Sequence, residues 1–159
     1  MKIHVGKDGK KSKTEALFIP GKSKPDPPAK SEEYRTGDGH VSFTKHFNYL
    51  GSYISNDLSD DRDVQNRISK ASKNFRSLKK NLFCNKKIPL HIRKRLFLAT
   101  TVNQLLWGCE SWAITTDIRR KLNTFFNKCV RFVFGISMYE IKEKRIHTYE
   151  LLEKFDSSL

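Results

Sequence analysis

The second half of the chain repeats apolar residues at the spacing of an α-helix. The clearest series is Val64, Ile68, Ala71, Phe75, Leu78 and Leu82. Residues spaced alternately by three and four positions lie on one side of a helix, so this series predicts an amphipathic helix. Asp60, Asp61 and Asp63 stand where a helix N-terminus favours a capping oxygen and negative charge. We therefore expect the first helix to begin close to residue 60.

The same spacing predicts further helices downstream. A second helix begins at Pro89, a residue that is favoured at the first helical position. Thr115 or Thr116 caps a third helix, and Gly135 is placed to end it in a left-handed conformation. A fourth pattern covers roughly residues 140–154. Together these patterns predict a bundle of three to four helices.

The first half of the chain has short apolar stretches separated by turn residues. These stretches predict strands at residues 15–19, 40–43, 47–50 and 52–54. The proline-rich segment 20–31 is predicted to be a loop, because proline fits neither a helix interior nor an interior strand. Gly37-Asp38-Gly39 suits a tight reversal of the chain. We expect an α+β fold, with a small antiparallel hairpin or sheet on the N-terminal side and a helical bundle after it.

A change in composition divides the chain near residue 58. Four of the five prolines precede this point, and the helical periodicity follows it. We expect residues 1–57 to carry the small sheet and residues 58–159 to form the helical domain. Apolar residues make up 37% of the chain and include eleven phenylalanines, which excludes a disordered basic tail. The length of 159 residues suffices for a hydrophobic core.

The charge distribution points to a polyanionic partner. The formal net charge is +14. Between Arg62 and Arg95 there are twelve lysines and arginines against the single acid Asp63. A solvated basic face is the alternative, but such a face normally carries interspersed acids. The cations expected to contact a phosphate backbone are those of the first helix, Lys70, Lys73, Arg76, Lys79 and Lys80.

Motifs for catalysis are absent from the sequence. We find no glycine-rich phosphate loop, no Ser-His-Asp grouping and no His-Glu-x-x-His helix. The adjacent acids Asp60 and Asp61 are interpreted as a helix start rather than a metal site. Cys84, Cys109 and Cys129 are too widely spaced to bind zinc, and we expect buried thiols. No catalytic residue, metal site or cofactor is therefore predicted for this chain.

The cysteine usage also indicates a reducing compartment. No apolar run reaches the roughly 18 residues needed to span a bilayer. The N-terminal residues lack the apolar region and cleavage site of a signal peptide. We expect an intracellular protein, nuclear or cytoplasmic, that is not secreted and has no membrane partner.

Five short segments follow one another in a recognisable order. They are KTEALF at 13–18, FNYLGSYIS at 47–55, LLWGCESW at 105–112, RKL at 120–122 and RFVFGI at 131–136. In this order they resemble the reverse transcriptases of non-LTR retrotransposons, in the part that closes the palm and continues into the thumb. The resemblance covers about residues 10–150. It implies a fragment of an RNA-directed DNA polymerase that binds template–primer through a basic, helical thumb.

The resemblance also implies roles for single residues. Lys13 matches a lysine that lies near the incoming nucleotide. Tyr49, Leu50 and Gly51 match the primer grip, a hairpin that presses on the primer terminus. A glycine there would let the backbone approach a nucleic-acid strand closely. The alternative is a core tyrosine followed by a turn glycine.

The resemblance does not extend to the catalytic carboxylates. In the family, the aromatic-x-Asp-Asp hairpin lies just before the position of Lys13, and this sequence begins too late to contain it. We therefore expect the chain to be inactive alone, with Mg²⁺ bound only in a complete polymerase. The expected partners are an RNA–DNA hybrid or primed template and the missing fingers–palm part. The alternatives are a free-standing basic nucleic-acid-binding module without a polymerase role and a helical interaction domain.

The segment with two tryptophans has a simpler interpretation. Trp107 and Trp112 lie five positions apart around a glycine, which predicts core packing at a helix junction. A carboxylate among aromatic residues would need a partner. A buried arginine such as Arg131 could pair with Glu110, but the sequence does not fix the partner.

Overall fold

A computed structural model describes residue 5 and residues 14–21, 33–36 and 39–156 of the chain. The fold is α+β, as predicted, with strands on the N-terminal side and helices after them. The chain divides into two compact units, residues 1–63 and 64–159. The strands are β1 (Glu15–Leu17), β2 (Glu33–Thr36), β3 (Gly39–Thr44), β4 (His46–Tyr49) and β5 (Ser52–Ser55). The α-helices are α1 (Asp61–Leu78), α2 (Leu90–Phe97), α3 (Asn103–Leu106), α4 (Thr116–Phe134), α5 (Met138–Glu143) and α6 (Thr148–Asp156).

The first unit contains a three-stranded sheet in the order β1–β3–β2. β2 pairs with β3 in antiparallel orientation, but β1 pairs with β3 in parallel, with Glu15 opposite Ser42. The prediction of a wholly antiparallel sheet is therefore wrong for β1. A parallel pair needs a crossover connection of a dozen residues or more, and the segment between β1 and β3 has that length. The predicted turn at Gly37 and Asp38, and residues 22–31 of the predicted proline-rich loop, lie outside the described residues.

The first helix begins where the acidic residues indicated. α1 starts at Asp61, and the buried carboxylate of Asp63 accepts a hydrogen bond of 2.9 Å from the backbone N–H of Tyr53 in β5. The helical path then changes, because Lys79–Phe83 has π-helical hydrogen bonding. The prediction that a helix starts at Asp60 and Asp61 agrees with this geometry.

A second π-helical stretch, Leu98–Val102, joins α2 to α3, so the predicted second helix is not uniform. The side chain of Thr100 explains part of this change. Its hydroxyl donates a hydrogen bond of 2.7 Å to the carbonyl oxygen of Leu96, which occupies an acceptor that an α-helical N–H would use. α2 begins one residue later than predicted, so Pro89 is its N-cap rather than its first helical residue.

The two ends of α4 confirm the capping signals in the sequence. The hydroxyl of Thr115 accepts a hydrogen bond of 3.2 Å from the backbone N–H of Ile118. Gly135 follows the helix with a φ of +74°, the left-handed conformation that glycine adopts readily.

The predicted single helix over residues 140–154 is wrong, because α5 and α6 are separate short helices. Ser137 and Glu140 form a capping box that starts α5, with each side chain accepting a hydrogen bond from the other residue's backbone N–H. Arg145 ends α5 with a φ of +49°. This left-handed residue interrupts an apolar spacing that was otherwise compatible with one continuous helix.

Phenylalanines dominate the core of the second unit. The buried members of this cluster are Phe75, Phe83, Phe97, Cys129, Val130, Val133 and Phe155. The rings of Phe75 and Phe83 stack with centroids 4.8 Å apart, and Phe97 meets both edge-on. Such aromatic pairs add about 0.5–1.5 kcal/mol beyond the burial of their area.

A second, smaller cluster contains Trp112 together with Val64 and Ile118. Trp107 does not join it, since 65% of its surface is exposed, so the prediction of core packing holds for only one tryptophan. Glu110 lies on the surface in a short 3₁₀ turn. An exposed carboxylate needs no buried partner, so the reason for expecting a pair with Arg131 disappears.

The three cysteines differ in burial. Cys129 is buried in the phenylalanine core, and burial raises the pKa of its thiol to about 12. Cys109 is half-buried, whereas Cys84 is exposed, which corrects the expectation that all three thiols are buried.

Candidate nucleic-acid interface

Two of the cations counted in the basic segment lie in the interior and hold helices together. Arg93 of α2 is buried, and its guanidinium donates to the carbonyl oxygens of Ile88 at 3.1 Å, Phe83 at 3.1 Å and Val133 at 2.6 Å. Phe83 ends the first π-helical stretch, and Val133 lies in the last turn of α4. Arg93 therefore satisfies carbonyl groups at the C-terminal ends of two helical segments, where no N–H of the helix itself is available.

Lys94, the next residue, does the same for α6. Its fully buried ammonium donates to the carbonyl oxygens of Lys154, at 3.3 Å, and of Phe155, and lies 4.6 Å from the centre of the Phe155 ring. Removal from water lowers the pKa of Lys94, an effect that the nearby charge of Asp156 partly offsets. Arg93 and Lys94 are thus structural cations, and Arg67 is buried as well. The count of cations in the sequence overstated the charge that faces solvent.

The predicted cations of α1 do not share a single side of the helix. Lys73, Arg76 and Lys80 are exposed, while Lys70 and Lys79 are half-buried. At about 100° per residue, Lys73 and Arg76 of α1 fall within roughly a sixth of the circumference, and Lys80 follows in the π-helical stretch. Lys70 and Lys79 are nine positions apart and so lie on opposite sides.

Lys79, the first residue of the π-helical stretch that follows α1, packs against α4. Its ammonium nitrogen is 3.5 Å from the centre of the Phe132 ring of α4. Lys79 and Lys128 of α4 both act on the thiol of Cys129, because each of their charges partly opposes the rise in pKa that burial causes. Lys128 is four positions before Phe132, the ring that Lys79 contacts, so both cations lie along the same side of α4.

An open groove lies where α1 and α4 meet, and we call it the basic groove. It has a volume of about 470 Å³. Its lining residues are Ile68, Arg120, Lys121, Thr124, Phe125 and Lys128. Ile68 and Phe125 provide apolar surface, and the other four residues provide three cations and a hydroxyl. Such a lining suits an anionic ligand that also has an apolar or aromatic part.

Asp117 orients two of the cations in the groove. Its carboxylate accepts a hydrogen bond from Arg120 and also pairs with Lys121, whose nitrogen is 3.0 Å away. Hydrogen bonds from Arg120 and then Lys121 lower the pKa of Asp117. All three groups are partly exposed, so the pairs hold side chains in position more than they stabilise the fold.

The sequence reasoning missed the contribution of α4. The missed residues of the groove are Arg120, Lys121, Thr124 and Lys128. A signal was present, since Lys121, Thr124 and Lys128 are spaced by three and four positions and so lie along one side of a helix. It was overlooked because the cations of α4 are interrupted by apolar residues, whereas those of α1 form a denser run.

The residues predicted as primer grip form the tip of the β4–β5 hairpin. Tyr49 pairs with Ser52 in the hairpin, so Leu50 and Gly51 are the two turn residues. Both have positive φ, +48° and +89°, as in a type I′ turn, which matches the twist of the two strands. The backbone N–H of Gly51 donates a 3.1 Å hydrogen bond to the side-chain oxygen of Asn48.

Within the first unit, Gly51 is required by backbone conformation rather than by crowding. A Cβ atom added there would meet no described atom within 4 Å. Leu50 is the unexpected residue of the turn, because 84% of its surface is exposed in a conformation that suits glycine or asparagine. Tyr49 is also exposed, at 59%, so the alternative of a core tyrosine is wrong. Lys13 lies outside the described residues.

Other functional features were sought among the described residues and in known proteins. Within residues 14–21, 33–36 and 39–156, no group of three His, Cys, Asp or Glu side chains is placed to hold a metal ion. None of the helices in the described part of the chain is long and apolar enough to cross a membrane. Comparisons with family models, curated proteins and solved structures give no match to this chain.

Proposed function

We propose that this chain binds the phosphate backbone of a primed nucleic-acid duplex through the basic groove and the exposed cations of α1. In this proposal the chain is a fragment of a retrotransposon RNA-directed DNA polymerase, as the order of its sequence segments implies. The observation that carries the binding proposal is the open groove along α4, which Arg120, Lys121 and Lys128 line.

The local charge balance supports a polyanionic ligand. No aspartate or glutamate occurs between Asp63 and Glu110. Arg76 and Lys80 are four positions apart on an exposed helix face, and like charges at this spacing cost about 0.2–0.5 kcal/mol. A concave site lined by one sign of charge concentrates its field and attracts ligands of the opposite sign. A phosphate backbone would relieve the repulsion.

The groove chemistry is compatible with a hybrid duplex. A-form duplexes are recognised mainly through their phosphates and shape, and the wide minor groove exposes sugar hydroxyls. Arg120, Lys121 and Lys128 would meet phosphates, and the Thr124 hydroxyl can donate to a sugar or phosphate oxygen. The apolar surface of Ile68 and Phe125 suits contact with sugar rings.

The hairpin tip supports the primer-grip part of the proposal. Leu50 is exposed and left-handed, a conformation that costs a non-glycine residue roughly 1 kcal/mol. Strain of this kind at an exposed position is a reason to look for a ligand contact. In the proposal, Tyr49 and Leu50 touch the primer terminus, and Lys13 lies near the nucleotide. Catalysis, with its Mg²⁺, belongs to the fingers–palm part, so the chain alone incorporates no nucleotide.

Binding titrations over a range of salt concentrations test the proposal. The logarithm of affinity falls with the logarithm of salt by about 0.9 for each phosphate contact on B-DNA. Neutralising two groove cations in the double variant Arg120→Gln with Lys128→Gln should therefore flatten the slope by nearly 2. The matched control is Arg119→Gln, because Arg119 is nine positions from Lys128 and so lies on the opposite side of α4. An equal slope for wild type and double variant would refute the groove as the binding site.

The choice of duplex distinguishes the polymerase proposal from a general basic module. A thumb with a primer grip should prefer an RNA–DNA hybrid with a recessed end over a blunt duplex of equal length. Leu50→Gly should reduce that preference without changing affinity for the blunt duplex. Equal affinity for both duplexes would instead favour the free-standing module, and binding to neither would favour a helical interaction domain.

A further inference from the structure

A strained residue joins the two last helices of the second unit. Arg145 follows α5 with a φ of +49°, and the backbone N–H of Ile146 donates a 3.1 Å hydrogen bond to the carbonyl oxygen of Ile141. This bond, which spans five residues, is typical of the Schellman ending of a helix. Glycine is the usual residue at the left-handed position. An exposed arginine is therefore present where the backbone alone favours glycine.

Two aromatic rings stack on the surface immediately after this residue. The rings of His147 and Tyr149 have centroids 5.4 Å apart and planes inclined by 16°. Both side chains are exposed, Tyr149 to 59%. A stacked pair in the core would be explained by packing, but a stacked pair in water leaves an aromatic face available. That face is the kind of surface on which a nucleic-acid base stacks.

Positive charge accompanies the stacked rings. Lys142, Lys144 and Arg145 are all exposed and lie within four positions of one another. Of the two acids in α5, Glu140 is engaged in the capping box with Ser137, whose hydrogen bonds lower the pKa of that carboxyl group. Glu143 is the other acid, so cations outnumber acids in this segment. We call Lys142, Lys144, Arg145, His147 and Tyr149 together the corner site.

The corner site is fixed to the body of the second unit. Ile141 and Ile146 face Val130 of α4 and Leu151 of α6 across a cavity of only about 20 Å³. Leu151 is buried. Both sides of the corner are thus anchored by apolar contacts, which holds the stacked rings and the neighbouring cations in a defined arrangement.

We propose that the corner site binds single-stranded nucleic acid, with an unpaired base stacked on the His147–Tyr149 pair and the adjacent phosphates paired with Arg145 and its neighbouring lysines. Bases of any sequence stack on aromatic rings, so the site is expected to be sequence-tolerant. It goes beyond the proposed function, because it concerns an unpaired strand and uses none of the residues of the basic groove.

Stacking is separated from simple charge attraction by comparing two probes on the full chain. One is an oligothymidylate about ten nucleotides long, and the other is an abasic sugar-phosphate oligomer of equal length and charge. The wild type should bind the oligothymidylate about tenfold more tightly, in line with the contribution of one stacked base. Tyr149→Ala should abolish that difference, and Tyr149→Phe should keep it. Equal binding of both probes by the wild type, or no effect of Tyr149→Ala, would overturn the proposal.

Arg145 provides a second test in which a folding defect cannot imitate the result. Arg145→Gly relieves the left-handed strain and should raise the thermal unfolding midpoint while weakening binding of the oligothymidylate about threefold or more. A more stable variant with unchanged affinity would exclude Arg145 from the site. The double variant Arg120→Gln with Lys128→Gln should leave this binding nearly unchanged, so failure of the groove and failure of the corner site are distinguishable.

Discussion

Replacing Arg93 tests whether the buried cations of α2 hold the helical unit together. The guanidinium makes three hydrogen bonds to the carbonyl oxygens of Phe83, Ile88 and Val133, and these connect α2 to the ends of two other helical segments. Arg93→Met keeps much of the apolar stem but removes every donor. Three carbonyl groups would then lose their partner at once.

The magnitude follows from the nature of these bonds. A hydrogen bond to a charged group contributes about 1.5–3 kcal/mol, and an orphaned buried acceptor carries its own desolvation cost. Summing three full bonds would overestimate the loss, because water can reach some carbonyl groups after the change. We expect Arg93→Met to lower the free energy of unfolding by about 3 kcal/mol, the equivalent of one to two such hydrogen bonds. Arg93→Lys should lose about half as much, since an ammonium cannot reach all three acceptors.

Urea unfolding followed by far-ultraviolet circular dichroism measures this loss. The matched control is Arg95→Met on the same helix, which removes an exposed arginine and should change the free energy of unfolding by no more than about 0.5 kcal/mol. If Arg93→Met and Arg95→Met proved equally stable, the capping role assigned to Arg93 would be refuted.

Three further predictions concern single groups. The pKa of Lys94 is lowered in the folded state, so between that value and 10.5 the unfolded chain binds more protons, and this group makes the protein more stable as the pH rises. The difference in urea midpoint between wild type and Lys94→Met should therefore move in favour of wild type toward alkaline pH. A difference that stays constant with pH would contradict the lowered pKa. Leu50→Gly should stabilise the first unit by about 0.5 kcal/mol, because glycine adopts positive φ without strain, and a lower unfolding midpoint would show that Leu50 packs favourably. Iodoacetamide should alkylate Cys84 in the native protein and leave Cys129 unmodified, as mass spectrometry can determine; rapid labelling of Cys129 would contradict its burial.

The helix ends were predictable from local signals. Thr115 and Gly135 bound α4 as expected, because capping depends on a side chain and a backbone conformation within a few residues. The same reasoning located the start of α1 at the run of aspartates. It failed at residues 140–154, because the apolar spacing continues past Arg145. The left-handed position that ends α5 there is occupied by arginine, so no glycine in the sequence marks the helix end.

Features that depend on distant partners were not predictable. Arg93 and Lys94 have the same sequence context as the exposed cations near them. Their burial is possible because carbonyl groups of α4 accept hydrogen bonds from Arg93 and carbonyl groups of α6 accept them from Lys94. The parallel pairing of β1 with β3 also depends on the path of the chain between them rather than on either strand. For the candidate interface, the sequence indicated the cations of α1 but not the groove, because the groove requires α4 to lie alongside.

The bond between Lys94 and the end of α6 has a consequence for the integrity of the chain. The ammonium group of Lys94 is shielded from water and bonded to carbonyl groups only while α6 covers it. Proteolytic trimming of residues 148–156 would expose apolar surface and strip the lysine of its acceptors in the same event. Loss of α6 would therefore disturb the interior of the helical unit, because α6 covers a cation of α2.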